Sequence, residues 1–232
     1  MALDEGVIKF QLQHKEKEAF SNHEIMQMQG IRNRLFAEQL IGGKNQNSDR
    51  CHQQYDDVCY GNISMRLSPY KFTPNKKQFL ITGTQTGCLE NITAADYTLV
   101  REYYPAENKL VSEGPIKPSS ESMTHGMVYD IYHEARAVIH VHSPQIWYAA
   151  KKGLLDILRT DEQVAYGTPA MANEVKRIFR NKLFHPNGSI FSMDGHEDGI
   201  ISFAADIIKA EELLMRTLQR AYELVGRTCD WK

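Results

Sequence analysis

Apolar residues at Met28, Ile31, Leu35 and Leu40 fall close to helical spacing and predict a helix over about 23–41, stopped by Gly42-Gly43. Short β-type runs follow over 62–67 and 79–82, with Pro69, Pro74 and Asn75 marking the turn between them. Thr93-Ala94-Ala95-Asp96 reads as a short helical turn. Pro118-Ser119-Ser120-Glu121 reads as a helix start, with a serine cap and an acidic residue in the first turn. That helix is predicted to reach about Glu134, with Met123, Met127, Val128 and Ile131 facing inward. Residues 137–141 form a compact apolar strand ending in His142. Met171, Val175, Ile178 and Leu183 predict another amphipathic helix, and strands are expected over 189–193 and 200–203. The last helix carries Ile207, Ala210, Leu214, Leu218, Ala221 and Val225 on one face.

Helices and strands mix without regular β-α-β alternation, and no G-x-G-x-x-G or Walker sequence occurs. A Rossmann or P-loop fold is therefore disfavoured. The pattern fits an α/β chain with three α/β/α layers and a central, largely antiparallel sheet. Residues 1–22 are polar and read as an N-terminal arm, 44–58 as a loop, and 23–232 as a single domain. No repeat, heptad run or low-complexity block interrupts it.

Composition narrows the function classes. A chain of 232 residues buries roughly 70–75% of its unfolded surface and needs no staple. Hydrophobic residues at 42% and charged residues at 24% exclude a disordered chain. A net charge of −2 supplies no basic field for nucleic acid or anionic lipid. No apolar run approaches the roughly 18–20 residues of a membrane span. Met1-Ala2-Leu3-Asp4-Glu5-Gly6 lacks a secretory layout, so a cytoplasmic chain is expected. Cys51, Cys59, Cys88 and Cys229 could form two disulfides but are expected to stay reduced there.

His140-Val141-His142 is the strongest chemical signal. On a strand, residues i and i+2 share a face, so both imidazoles project side by side. Two such nitrogens can hold one borderline cation at about 2.0–2.1 Å. The bland alternative is one buried, hydrogen-bonded histidine and one at a strand end. His196, in a turn-rich stretch between two predicted strands, is the third donor. Three protein ligands plus an open position is the usual catalytic zinc arrangement. Glu121 either favours the helix dipole or, beside a metal, acts as a general base. Gly61-Asn62, the run Thr82-Gly83-Thr84-Gln85-Thr86-Gly87, and Ser119-Ser120 offer short donors and permissive glycines suited to an anion.

Taken in order, 61–66, 81–87, Pro118-Ser119-Ser120-Glu121 with His125, 137–143 and Tyr166-Gly167-Thr168 resemble the class II aldolase/adducin family over about residues 25–225. The resemblance implies one α/β/α domain, usually in a homotetramer with sites between subunits. It also implies a divalent-metal lyase on a small keto-sugar or polyol phosphate, acting through a metal-stabilised enediolate. A dehydratase or epimerase, or a non-catalytic adducin-like scaffold, is the alternative. Carried over by residue, the metal falls on His140 and His142, catalysis on Glu121, and the phosphate on Asn62, Thr86, Gly87, Ser119 and Ser120. The family's third histidine directly precedes a glycine, whereas here His196 is followed by Glu197-Asp198-Gly199. His196 is preferred over Asp198 because nitrogen suits a zinc-like ion; Zn²⁺ is expected, with Mn²⁺ or Co²⁺ the other candidates. No tyrosine between His142 and Gly167 matches the family's proton donor.

Overall fold

The computed structural model describes residues 7–43, 59–66 and 77–227. Strand β1 (Gln11–Glu16) leads into helix α1 (Asn22–Ala37), then β2 (Asn62–Met65), β3 (Phe79–Thr82), β4 (Tyr97–Tyr104) and β5 (Lys109–Gly114). Helix α2 (Ser122–Ile131) precedes β6 (Ala137–His142), α3 (Pro144–Lys151), β7 (Leu158–Arg159) and α4 (Pro169–Ile178). The chain closes with β8 (Ser189–Ser192), β9 (Gly199–Ala204) and α5 (Ile207–Val225). The nine strands make one sheet in the order β1-β5-β4-β3-β2-β6-β9-β8-β7. Pairing is parallel at the two edges, β1 with β5 and β7 with β8, and antiparallel at every other described pair.

Apolar alternation divides the core into two layers. Ile25, Met28, Ile31 and Leu35 of α1, Ile146 of α3 and Leu214 of α5 pack on one face against Ile63, Leu80, Ile139 and Val141. Met127 of α2 and Val175 of α4 pack on the other against Phe79, Ile81, Val138 and Phe203. With both faces covered, β3, β6 and β9 are buried along their whole length. That is why these strands read as near-continuous apolar runs. β6 sits between β2 and β9, with Asn62 opposite His140 on one side and Gly199 opposite His142 on the other.

The three-layer, mostly antiparallel arrangement is the expected one, with local differences. Helix α2 begins after Glu121 instead of at Ser119, because Ser119 is spent on a turn: its carbonyl accepts from the Ser122 amide at 3.1 Å. Leu183 lies beyond α4 and is 94% exposed, so it has no part in that helix's buried face. β4 escapes the alternation rule because its register shifts between Val100 and Glu102, a bulge that breaks period-two patterning. Residues 11–16 of the polar arm form an edge strand, where one covered face tolerates a polar sequence.

Cys59 and Cys88 are joined, their Cα atoms 5.0 Å apart, so the expected reduced state does not hold for this pair. Cys51, Cys229, the 44–58 loop and the turn at Pro69, Pro74 and Asn75 lie outside the described residues. No helix among the described residues is long and apolar enough to cross a membrane.

Candidate metal centre

The alternation that sends Ile139 and Val141 toward α1, α3 and α5 sends His140 and His142 toward α2 and α4. Both histidines are fully buried. The connection from β8 to β9 folds back on itself: the His196 amide donates to the Met193 carbonyl, and the Gly199 amide to the His196 carbonyl, each at 2.9 Å. Asp198 takes a left-handed φ of 60° within this turn. A Cβ on Gly195 would meet the Val164 carbonyl oxygen at 2.1 Å, so only glycine admits this close approach.

The turn returns His196 to β6. Ligand atoms of His140, His142 and His196 all lie within 4.8 Å of one another. Their ring centroids are 5.2 Å apart for the β6 pair, and 5.1 and 4.7 Å from His196 to His140 and His142. His140 Nδ1 lies 3.2 Å from the Ile200 carbonyl oxygen. Donation there leaves Nε2 as the lone-pair nitrogen, the arrangement that orients a metal-ligating imidazole. Three buried nitrogens within one small volume fit a borderline divalent cation. Asp198 is not one of the converging donors; its charge acts on Tyr60.

Glu121 occupies the N-cap position of α2, fully buried and without a side-chain capping hydrogen bond, and its Oε1 is 3.7 Å from His196 Nδ1. Its carboxylate therefore faces the histidine cluster instead of solvent ahead of the helix. Four residues on, buried His125 has Nδ1 2.7 Å from Ser64 Oγ, which lies 2.9 Å from the Tyr129 hydroxyl. Burial, then the proximity of His140, push the His125 imidazole well below its ordinary value, so it is neutral at pH 7.

The predicted anion donors sit around the same end of the sheet. Gly61 has a φ of 80°, and a Cβ there would meet Ile41 Cγ1 at 2.7 Å and the His140 carbonyl oxygen at 3.2 Å. Asn62 follows it, opposite His140 in the ladder. Gly83 bridges to Pro118, and the Thr84 amide donates to the Lys117 carbonyl at 2.9 Å, which ties the loop after β3 to the run before Ser119. Thr86 Oγ1 donates to the Gly83 carbonyl at 2.8 Å. Gly87 lies against the Tyr60 backbone, where a Cβ would come within 2.4 Å of the carbonyl oxygen. The 83–87 loop thus lies between the segments that carry Asn62 and Ser119. Ser119 Oγ accepts from the Glu121 amide at 3.3 Å.

Two aromatic walls were given no site role by the sequence, although Tyr166 stands in the Tyr166-Gly167-Thr168 motif. Tyr60 stacks on His142 at 5.0 Å, and Tyr166 stacks on His196 at 4.6 Å. Burial, reinforced by the Asp198 charge, pushes the Tyr60 phenol up, so it stays protonated at neutral pH. Lys9 Nζ lies 3.9 Å from the Tyr166 ring centroid. Arg32 of α1 is also new: it is buried and holds the loop after Thr86 by its backbone carbonyls. Adjacency to Gly61 was the available signal for Tyr60, the Tyr166-Gly167-Thr168 motif was the signal for Tyr166, and nothing in the helical pattern marked Arg32.

The profile of the Class II Aldolase and Adducin N-terminal domain matches residues 48–220. No curated protein sequence matches the chain. The sugar-phosphate aldolase from Thermotoga maritima superposes with a TM-score of 0.62 at 17% identity, covering 88% of this chain and 94% of that one. An L-fuculose 1-phosphate aldolase gives 0.61 at 19%, covering 89% and 88%. YgbL from Klebsiella pneumoniae, described as a candidate aldolase/epimerase/decarboxylase, gives 0.59 at 18%, covering 89% and 91%. At these identities the likenesses bear on the fold.

Proposed function

Because the chain belongs to the class II aldolase and adducin family, we propose that it is a divalent-metal-dependent lyase that cleaves a small phosphorylated keto-sugar or polyol by an aldol-type reaction. The observation that supports this most is the meeting of three buried imidazoles with the Glu121 carboxylate, 3.7 Å from His196. A scaffold domain has no physical use for a carboxylate buried against three histidines, since burying such polar groups is costly unless they serve a ligand.

His140, His142 and His196 would hold the metal, with Zn²⁺ favoured over Mn²⁺ or Co²⁺ by an all-nitrogen donor set. The bound cation would supply the Lewis acidity that stabilises negative charge on the substrate oxygens. Glu121 moves the proton between substrate hydroxyl and carbon, as a buried base beside the histidine cluster. Asn62, the Thr86-Gly87 backbone and Ser119-Ser120 bind the phosphate and set its distance from Glu121. Tyr60 and Tyr166 hold the rings of His142 and His196 in place and exclude water from that side. A homotetramer completes the reading; the cytoplasmic location expected from the sequence stands against the joined Cys59 and Cys88.

The test has two arms. Elemental analysis of purified protein should find one divalent ion per chain before chelation and none after it; absence of a stoichiometric ion before chelation removes the lyase. A panel of ketose phosphates, followed by coupled detection of the released aldehyde, should then show chelator-sensitive cleavage. Epimerised or dehydrated product with no aldehyde would move the reaction within the family.

A further inference from the structure

We propose that Arg32 is a positioning residue for the anion site, aiming the loop amides of Gly87 and Cys88 at a bound phosphate and placing a positive charge behind them. The proposal rests on the phosphate reading of Asn62, Thr86, Gly87, Ser119 and Ser120.

Arg32 is 1% exposed, on a helix otherwise packed by aliphatic side chains. Its guanidinium donates to the carbonyls of Thr86, Gly87 and Glu90, each at 3.0 Å, and also to that of Leu89. The ring of Phe36 lies 4.5 Å from the guanidinium carbon. Among the described residues it forms no ion pair. Burial lowers its pKa to about 10, with Tyr97 and Asp96 acting in the opposite direction, so it remains a cation at neutral pH. A buried cation held by neutral carbonyls and one ring face, without an ion pair among the described residues, is costly to keep, and a loop that needed only to be closed could be closed by a neutral donor.

Peptide geometry gives the arrangement a direction. In a trans peptide the carbonyl of one residue and the amide of the next point opposite ways. Drawing the Thr86 and Gly87 carbonyls to Arg32 therefore turns the Gly87 and Cys88 amides away from α1. The loop meets Tyr60, two residues before Asn62, and it is tied through Thr84 to the run leading into Ser119. Successive amides turned to one side make an anion-binding concavity. The guanidinium behind the loop adds a charge that a phosphate feels through one layer of peptide, in surroundings that screen poorly. The site thereby gains a cation without a lysine in contact with the anion.

Inorganic phosphate is the probe, titrated into metal-loaded protein by calorimetry and by amide NMR. Wild type should bind phosphate and shift the Gly87 and Cys88 amide resonances. Arg32→Met should weaken phosphate by roughly ten- to a hundred-fold, the range for losing charge-assisted hydrogen bonds, and abolish those two shifts. Arg32→Lys, which keeps charge but gathers fewer carbonyls, should fall between them. Cobalt stoichiometry and its visible absorption band should be unchanged in both variants, since Arg32 touches no histidine of the cluster. Phosphate affinity equal to wild type in both variants overturns the proposal. Where Arg32→Met fails to fold, unchanged affinity in Arg32→Lys overturns it alone. No phosphate binding by wild type itself removes the phosphorylated-substrate reading instead, and leaves the metal centre standing.

Discussion

β6 contributes to two different regions of the molecule. Toward α1, α3 and α5 it presents Ala137, Ile139 and Val141, packed in an aliphatic layer. Toward α2 and α4 it presents Val138 and then His140 and His142, which meet His196 and Glu121. One face gains free energy from apolar area removed from water. The other gives part of that gain up to bury imidazoles and a carboxylate. The lesson is that folding and chemistry are separated here by a single-residue alternation, so neighbouring substitutions should have opposite consequences.

The sharpest way to break that separation is His140→Ala. It should abolish stoichiometric metal binding and all turnover while the chain still folds, checked by elemental analysis and circular dichroism; retained metal would remove His140 from the ligand set. Glu121→Gln comes next. It keeps size and hydrogen bonding but cannot accept a proton, so turnover should fall roughly 10²–10⁴-fold, the usual worth of general acid–base catalysis, with metal content unchanged.

Ile139→Ala, one residue from His140, should do the reverse. Truncating a fully buried isoleucine costs about 2–5 kcal/mol of stability, read from denaturant melts, while metal stoichiometry stays at one. A larger loss of metal than of stability would show that the two faces are coupled.

The smallest effect belongs to the edge, far from either layer. His14 of β1 lies 2.9 Å from Ser112 Oγ, and burial holds its imidazole below its ordinary value of 6.5. Undocked β1 therefore takes up a proton near pH 6.5 that the docked strand resists. Docking should be fully present above that pH and weaken as pH falls below it. Hydrogen exchange of the β1 amides at pH 7.5 and 5.5, corrected for intrinsic rates, should show protection falling by no more than about ten-fold. Protection that rises on acidification would reverse the sign.

The site was legible where its residues are close together in sequence. His140 and His142 share a strand face by simple period-two geometry, and Pro118-Ser119-Ser120-Glu121 announced a helix entry. The helix itself starts two residues later than the serine cap suggested, because Ser119 closes a turn and Glu121 takes the N-cap position. β4 and α3 were not legible: a bulge breaks the alternation of the first, and the second is a short helix of eight residues opened by Ser143-Pro144. Arg32 and Tyr60 carry no local pattern, and the motif holding Tyr166 says nothing of its place against His196, since what defines these residues is the group each one touches.

By itself the sequence determined the periodic elements, the two-sided burial of the central strands, the pair of histidines on one strand and the order of motifs. Those follow from local sterics and from the burial of apolar area, which act through neighbours in the chain. Only the tertiary structure brought His196 up to His140 and His142, because that approach depends on two tight turns and on the room Gly195 leaves beside Val164. It alone joined Cys59 to Cys88 and set Arg32 behind the Thr86–Gly87 carbonyls. Contacts across such sequence separations arise when the two core layers close on the sheet, and no spacing along the chain encodes them.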